Sequence, residues 1–371
     1  MITIFNIRPK GHNIGNDAIS VALRNLIYET FGRMVNIIDM PATSLYESHA
    51  KAGLSSKSVY EINRVGDGVI VGGGNLYENN EMVVNETALK ALEVPLMLFS
   101  NSIGKVYNRE GILTSRTDVT PDVKLKMIHD YADISLVRDT STLKHINGIG
   151  CNKSIFGGCP TISLGKYDDF KEEIPKNEFV GTLISIRTPS LINLPQKYQI
   201  KITDELVKTI DLLKKRGHKR IRILCNDSRD CEYASFFRDY SNVDFVYTSN
   251  VYDYLSLLSN AELVISFRLH ATLPSLSFGT PVVNISYDER AESLFEDLQM
   301  GEWDIKYIKE TELSKAIEKR LGNINDLDNL VKSAKSKWDE TEKVQIDHFK
   351  KFHKMVKSRM YERGIIKEKN D

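Results

Sequence analysis

The 371-residue sequence has no excess of charge of either sign, because 50 Lys and Arg residues balance 50 Asp and Glu residues. Affinity for nucleic acid comes mainly from neutralising phosphates with Lys and Arg. The balance therefore argues against a general nucleic-acid-binding protein, although it does not exclude a local basic patch. A hydrophobic content of 41% and a charged content of 27% are typical of an ordinary globular protein.

The sequence also lacks an apolar run of the roughly 20 residues that a membrane-spanning helix needs. Residues 1–7 read as a first β-strand and do not combine a basic segment with a signal-peptide core. We therefore expect a cytoplasmic protein, with peripheral contact to the inner face of a membrane left open.

Cysteine is scarce, and its four residues form no Cys-x-x-Cys pair and accompany no paired histidines. They are Cys151, Cys159, Cys225 and Cys231. Neither a structural zinc site nor a disulfide framework is expected from isolated cysteines in a chain of this length. We expect buried or incidental thiols and no metal.

Short apolar segments alternate with helical patterns along almost the whole chain. This alternation predicts parallel β-sheets that are covered by helices on both faces. In the first half the predicted strands are residues 2–7, 35–38, 68–71, 95–99, 134–137 and 154–156. In the second half they are residues 182–186, 220–224, 243–246, 263–265 and 282–285.

The chain length favours two domains of about 150 to 200 residues rather than one. We predict an α/β protein with two Rossmann-like domains that face each other across a cleft. Their expected bounds are 1–165 and 180–330, with the polar stretch 165–179 as the hinge. A helical segment over 331–371 is expected to close the second domain or cross back to the first, unless its basic end approaches an anionic membrane surface.

The most informative segment is a strand–helix–strand unit over residues 262–287. Its first strand leads directly into Arg268-Leu269-His270. Ligands bind at the carboxyl ends of parallel strands, and the N-terminus of the next helix attracts anions. We expect the planar guanidinium of Arg268 to bind an anion there and His270 to transfer a proton near neutral pH.

Two more arginines, Arg138 and Arg187, also follow predicted strands directly. Three arginines in separate strand-to-helix junctions suggest a polyanionic ligand, because arginine binds phosphate and carboxylate in bidentate fashion. For Arg138 a salt bridge to Asp139 is the alternative. Arg290 follows the next strand and is expected to line the same crevice, as is Asp288.

A glycine run, Gly72-Gly73-Gly74, follows the strand at 68–71. It is either a tight turn or a nest of backbone N–H groups for an anion. It is not a complete dinucleotide fingerprint, because Tyr77 stands where the third glycine would be. A dehydrogenase is therefore the least favoured function.

The polar loop at 11–18 links the first strand to the first helix. Asn16 or Asp17 could cap that helix. Alternatively, the loop points into the cleft, where its polar side chains would suit sugar hydroxyls. Whether His12, in the same loop, has a catalytic role is ambiguous from the sequence.

Taken in their order along the chain, these motifs resemble the polysaccharide pyruvyl transferase family over about residues 3–305. The most specific element is Arg268-Leu269-His270, followed by Gly-Thr-Pro-Val-Val at 279–283 and Tyr287-Asp288. Supporting elements are Asn13-Ile14-Gly15, the glycine run at 72–74, Arg138-Asp139 and Ser185-Ile186-Arg187.

The resemblance implies a GT-B-like fold and transfer of an enolpyruvyl unit from phosphoenolpyruvate to a sugar of a cell-surface polysaccharide precursor, as a pyruvate ketal. The partners would be this small donor and a saccharide acceptor, which a lipid could anchor, with no other cofactor. The first domain would bind the acceptor and the second the donor.

The resemblance also implies which residues act in the reaction. Arg268 and His270 would be catalytic, with His270 as the general acid. The donor-binding residues would be Arg187, Arg138, Leu269 and Arg290. The acceptor-binding residues would be Asn13, Asn16, Asp17, Gly73, Gly74 and Asn75.

Three positions depart from the family pattern. Asn16 stands where an Asp is usual, Cys159 where an Asp is common, and Arg290 where a Lys is frequent.

Two other functions stay open. One is a GT-B glycosyltransferase with a nucleotide-sugar donor, since an arginine and a helix N-terminus suit a diphosphate equally well. The other is an inactive assembly subunit, against which the Arg268–His270 pair argues.

Overall fold

The computed structural model describes residues 1–9, 11–44, 51–78, 80–167, 175, 179–310 and 312–364. Most of the predicted hinge at 165–179 therefore lies outside the described residues, as does the basic end of the chain at 365–371. In the described part of the chain, no helix combines the length and apolarity needed to cross a membrane.

The first half of the chain alternates strands and helices as predicted. Its elements are β1 (Ile2–Arg8), α1 (Ile14–Phe31), β2 (Val35–Pro41), α2 (Ser56–Val65), β3 (Gly68–Gly74), α3 (Glu86–Lys90), β4 (Leu96–Asn101), β5 (Val106–Tyr107), β6 (Leu113–Thr114), α4 (Asp122–Tyr131), β7 (Ile134–Val137), α5 (Thr140–Gly148) and β8 (Ile155–Phe156). Strands β5 and β6 form a small antiparallel hairpin.

The other strands of this half form one parallel sheet in the order β2-β1-β3-β4-β7-β8. The chain adds β2 on one side of β1 and then continues from β3 on the other side. The direction of winding therefore reverses between β1 and β3. In open α/β sheets such a switch point leaves a crevice between the loops that follow its two strands.

The second half repeats the alternation. Its elements are β9 (Thr182–Ile186), α6 (Gln196–Lys215), β10 (Ile221–Cys225), α7 (Cys231–Ser241), β11 (Asp244–Tyr247), α8 (Val251–Ser259), β12 (Leu263–Ser266), α9 (Leu269–Phe278), β13 (Val282–Ser286), α10 (Glu289–Asp297), β14 (Ile305–Lys306), α11 (Leu313–Gly322) and α12 (Ile324–Glu362).

The second parallel sheet has the order β11-β10-β9-β12-β13-β14. Counted within this sheet, that is the 3-2-1-4-5-6 order of dinucleotide-binding folds, with its switch point between β9 and β12. Arg187 directly follows β9 and Arg268 lies two residues after β12. The fold therefore places two of the predicted site residues on either side of this switch point.

All eleven predicted strands are present, with ends that differ by a few residues. The α/β prediction with parallel sheets is confirmed. The strands that sequence analysis missed are β5, β6 and β14, each only two residues long. Strands this short show no periodicity to detect, and β8, which is equally short, was predicted from its apolar residues alone. The strands of both sheets are largely buried, as expected when helices cover both faces.

Helix α12 connects the two halves of the chain. This is the arrangement in which the C-terminal segment crosses back to the first half. Its 39 residues extend over roughly 58 Å. Before its midpoint, Trp338 donates a hydrogen bond from Nε1 to the carbonyl oxygen of Leu298 in the second half of the chain at 2.9 Å. Near its end, Phe349 and Phe352 enter the core of the first sheet, where Phe349 packs edge-on against Phe99.

We predict that Phe352→Ala lowers the free energy of unfolding by about 3–5 kcal/mol, because Phe352 is fully buried against the first sheet and its loss leaves a cavity. Urea denaturation followed by circular dichroism measures the change. The control is Tyr361→Ala in the same helix, where the ring is 41% exposed and a change below about 1 kcal/mol is expected. Equal effects of the two substitutions would contradict the described packing of α12.

Candidate active site

The carboxyl ends of both sheets open onto one cavity of about 490 Å³ between the two halves of the chain. The loops at both switch points contribute to its walls. From the first half it is lined by Pro9, Gly11, His12, Asn13, Asn16, Asn75, Glu78, Glu81, Arg116, Asp118 and Arg138. From the second half it is lined by Arg187, Ser190, Leu191, Asn193, Asn226, Asp227, Arg229, Phe267, Arg268, Leu269, His270, Tyr287, Asp288, Arg290 and Ala291.

Arg268 occupies the N-cap position of α9, in extended backbone conformation. The hydroxyl of Ser266 accepts a hydrogen bond from the backbone N–H of Arg268 and donates one to its carbonyl oxygen, each at 2.9 Å. The residue is only 8% exposed, and its Nη2 has no hydrogen-bond partner among the described residues. A buried guanidinium nitrogen without an acceptor favours binding of an anion beside it.

His270 lies one residue inside α9, with an Nε2 atom that is buried and has no partner among the described residues. The start of α1 approaches it so closely that a Cβ on Gly15 would lie 2.7 Å from His270 Cβ. Glycine at this position is what lets the first half contact the histidine.

A chain of hydrogen bonds fixes the backbone at His270. Tyr254 donates from its hydroxyl to the carbonyl oxygen of His270 at 3.0 Å, and Asn226 Nδ2 donates to the Tyr254 hydroxyl at 2.6 Å. Ser185 in β9 donates to Asn226 Oδ1 at 2.7 Å. Burial, and then the positive charges of Arg138, Arg268 and Arg290, lower the pKa of His270 to about 3. The imidazole is therefore neutral at pH 7 in the unliganded protein.

Arg187 forms an ion pair with Asp227, Nη1 to Oδ2, at 3.0 Å. Burial, together with the charge of Arg268, lowers the pKa of Arg187. Burial raises the pKa of Asp227, but hydrogen bonds from Arg229 and Arg187 outweigh it and hold that pKa well below its usual value. Asp227 is therefore ionised and balances part of the positive charge.

Arg138 is 2% exposed, and its Nε lies 3.5 Å from Asp139 Oδ2. The salt bridge that the sequence offered as an alternative is thus present. It does not satisfy the guanidinium, because Nε and Nη2 have no hydrogen-bond partner among the described residues. Asp139 in turn caps α5 by accepting a hydrogen bond from the backbone N–H of Thr142 at 2.9 Å.

Arg290 links the two halves of the cavity. It forms ion pairs with Asp288 beside it and with Glu78 from the first half. Burial lowers the pKa of Arg290, but Asp288 and Glu78 outweigh this effect and raise it. Glu78 is 3% exposed and also lies 3.3 Å from Arg116. Burial raises the pKa of Glu78 although Arg290 opposes the shift.

The residues predicted for the acceptor separate into two groups. Asn13, Asn16 and Asn75 line the cavity, and Asn13 also caps α1 by accepting from the backbone N–H of Gly15 at 3.1 Å. Among the described wall residues of this cavity, Asp17 does not appear. Its carboxylate binds Arg8 Nη2 at 2.5 Å instead.

Gly73 and Gly74 are likewise not among the described wall residues. They have positive φ angles of 57° and 89° at the end of β3. A Cβ on Gly73 would lie 2.3 Å from Ile19 Cγ2, and one on Gly74 would lie 3.0 Å from Asn16 Oδ1. The glycines thus let α1 pack against β3, which favours the tight turn over the anion nest.

Several polar wall residues, among them Glu78, Arg116, Asn226 and Asp227, were not predicted as site residues. Asn226 and Asp227 directly follow β10, so the rule that sites form at carboxyl ends of strands could have found them. Glu78 lies four residues after β3, in a loop without a recognisable pattern. Within the described residues, no group of three or more His, Cys, Asp or Glu is placed to hold a metal ion.

Comparison with known proteins agrees with the order of the motifs. Residues 13–289 match the model of the polysaccharide pyruvyl transferase family. No curated protein matches the chain.

Two solved structures are similar to this chain in fold. One is Methanocaldococcus jannaschii UDP-GlcNAc 2-epimerase in complex with UDP-GlcNAc and UDP, at 12% identity and a TM-score of 0.52, covering 85% of this chain and 92% of that one. The other is the S. aureus MnaA–UDP complex, at 14% identity and a TM-score of 0.52, covering 86% and 88%. At these identities the similarity shows the fold alone, and it confirms the GT-B-like prediction.

We predict that His270 stays neutral in the unliganded protein down to about pH 5, far below the ordinary histidine midpoint of about 6.5, because burial and three arginines oppose protonation. NMR titration of protein labelled with ¹³C-histidine measures the midpoint. The resonance is assigned by its loss in His270→Gln, with the other histidines as internal references. A midpoint near 6.5 would contradict the described environment.

Proposed function

The chain belongs to the polysaccharide pyruvyl transferase family, and on that premise we propose that it transfers an enolpyruvyl unit from phosphoenolpyruvate to a saccharide and closes it to a pyruvate ketal. The main support is the set of unsatisfied guanidinium nitrogens on Arg268 and Arg138 around His270, in a cavity large enough for a small donor and a sugar. Phosphoenolpyruvate offers both a phosphate and a carboxylate to such groups.

We propose that the donor is bound by its two anionic ends. Arg268 and the N-terminus of α9 hold the phosphate, and Arg187 with Arg138 holds the carboxylate. Leu269 follows Arg268 on the wall of the cavity and contacts the donor there. Arg290 adds positive charge, although its pairing with Glu78 and Asp288 makes it a weaker anion ligand than Arg268.

Attack of a sugar hydroxyl on C2 of the donor requires a proton at the methylene carbon C3, and we assign His270 as the general acid. The low pKa of the free imidazole does not prevent this role. Its largest cause is burial, but the next two are the charges of Arg138 and Arg268, which also bind the donor. A donor with up to three negative charges offsets these charges and raises the pKa of His270. Donor binding thus prepares the acid for reaction.

The acceptor enters from the first half of the cavity, where Asn13, Asn16 and Asn75 offer amide groups to hydroxyls. A pyruvate ketal requires two hydroxyls on one acceptor, so the acceptor class is a saccharide with a free diol, lipid-linked or not. After the first addition, the neutral His270 accepts the proton of the second hydroxyl as the phosphate leaves.

The test is mass spectrometry of lipid-linked oligosaccharides and simple methyl glycosides incubated with the enzyme and phosphoenolpyruvate. We expect a product heavier by one pyruvate less one water, with release of inorganic phosphate. His270→Asn should reduce the rate by about 10²- to 10⁴-fold, the usual contribution of a general acid. His348→Asn, on α12, is the matched control. Near wild-type turnover of His270→Asn would refute the assignment.

We predict that Arg268→Ala mainly weakens donor binding, by at least about tenfold, since one charge-assisted hydrogen bond contributes about 1.5–3 kcal/mol. Isothermal calorimetry with phosphoenolpyruvate measures this, and the exposed Arg64→Ala is the control. Unchanged affinity would contradict the role of Arg268.

Thermal shifts with uridine and cytidine diphospho-sugars test the rival glycosyltransferase function. That function is favoured if these sugars stabilise the protein and phosphoenolpyruvate does not.

A further inference from the structure

Glu78 is one of several acidic residues on the wall of a cavity that is rich in arginine, and one of its carboxylate oxygens lacks a partner among the described residues. Its carboxylate is 3% exposed and lines the cavity from the first half of the chain. Its Oε2 faces Arg290 and Arg116, but Oε1 has no hydrogen-bond partner among the described residues. A buried carboxylate oxygen without a donor is costly unless a ligand group uses it.

Asp288 is a useful contrast, because it forms an ion pair with the same arginine. Its Oδ2 accepts from Arg290, and its Oδ1 accepts from the backbone N–H of Ala291 at 3.0 Å. Both oxygens of Asp288 are therefore engaged in positioning Arg290 and α10. Glu78 pairs with Arg290 through Oε2 alone, so its Oε1 remains available to a ligand.

The backbone holds Glu78 in place at the first switch point. Its N–H donates to the carbonyl oxygen of Asn75 at 3.1 Å, and it forms an antiparallel bridge with Val119. His270 lies on the opposite half, beside the second switch point. The charges of Arg138 and Arg290 act on both side chains. The imidazole and the carboxylate therefore share Arg138 and Arg290 as charged neighbours, and both residues line the same cavity.

We propose that Glu78 is the general base that removes the proton from the attacking hydroxyl of the saccharide acceptor. This assignment rests on the proposed function and deepens it, since it places the acceptor's reacting hydroxyl at Glu78 Oε1. An amide side chain such as Asn13 can hold a hydroxyl but cannot accept its proton. Burial raises the pKa of Glu78, which makes its carboxylate a stronger base than an exposed glutamate.

The proton balance closes with these two residues. In the first step the acceptor oxygen bonds to C2 of the donor, its proton passes to Glu78, and the π electrons of C2=C3 take a proton from His270. In the second step the other hydroxyl oxygen bonds to C2, its proton passes to His270, and the C2–O bond to phosphate breaks. The phosphate leaves with the electron pair and takes the proton from Glu78.

Glu78→Gln tests the assignment, because the amide oxygen can still accept hydrogen bonds from Arg290 and Arg116 but cannot act as a base. With the acceptor found by mass spectrometry, we expect kcat to fall by about 10²- to 10⁴-fold while KM for phosphoenolpyruvate changes little. The ascending limb of the wild-type kcat–pH profile, where a base loses its proton, should disappear. The groups facing Glu78 are Arg290, Asp288, Arg116 and Arg138.

Asp288→Asn is the matched comparison, expected to raise KM for the donor and to keep the ascending limb. If Glu78→Gln raises KM but keeps kcat and the limb, Glu78 only positions Arg290 and the assignment is overturned. Should the variant not fold, ¹³C-glutamate NMR of the wild-type complex with phosphoenolpyruvate decides. The Glu78 midpoint must coincide with that of the kinetic limb, and a mismatch overturns the assignment.

Failure of this inference is distinguishable from failure of the proposed function. Transfer by the wild type and equal transfer by Glu78→Gln would overturn the role of Glu78 alone. No transfer by the wild type to any acceptor, with no affinity for phosphoenolpyruvate in calorimetry, would overturn both.

Discussion

Burial of several guanidinium groups around one cavity is the physical constraint on which the site depends. A buried charge costs several kcal/mol unless it is paired and hydrogen-bonded. The protein offsets only part of this cost. Asp227 pairs with Arg187, and Glu78 and Asp288 pair with Arg290. Arg268 and Arg138 retain nitrogens without partners in the described structure, which is an arrangement that favours binding of an anion.

The same constraint contributes one of the connections between the two halves of the chain. The Glu78–Arg290 ion pair joins loops from different sheets, and the backbone N–H of Ile14 donates to the carbonyl oxygen of Asn226 at 2.9 Å. Helix α12 adds a third connection far from the cavity. Because His270 and Glu78 belong to opposite halves, the distance between the proposed acid and the proposed base depends on how the halves are held together.

The sequence was sufficient for the features that follow from chain direction and periodicity. Strands of four or more residues were found, and Arg138, Arg187, Arg268 and His270 were placed on the cavity because they follow strands. Features that depend on which neighbour a side chain finds could not be predicted. Asp17 was expected to bind the acceptor. In the structure its carboxylate forms an ion pair with Arg8 from the adjacent strand.

The same limit of sequence analysis can suggest a site where there is none, as at Gly73 and Gly74, or miss a cavity residue, as at Glu78. In the sequence alone the glycine run is compatible with an anion nest. In the structure it is explained by the close packing of Ile19, in α1, against the end of β3. Glu78 has no motif around it, and only folding brings it to Arg290, more than two hundred positions along the chain. Local pattern therefore identifies groups fixed by a strand end, whereas groups fixed by tertiary pairing require the structure.

The low pKa of His270 has a consequence for the order of events at the site. Burial, and then the charges of Arg138, Arg268 and Arg290, keep the imidazole neutral without ligand, and of these causes a bound anion can offset the charges. The proposed donor offsets the charges of Arg138 and Arg268 by binding to both, whereas an uncharged saccharide does not. Under the proposed function, acid catalysis would therefore be coupled to the presence of the donor through the charges of these arginines. In this proposal, the arginines that bind the donor also control the protonation of the imidazole.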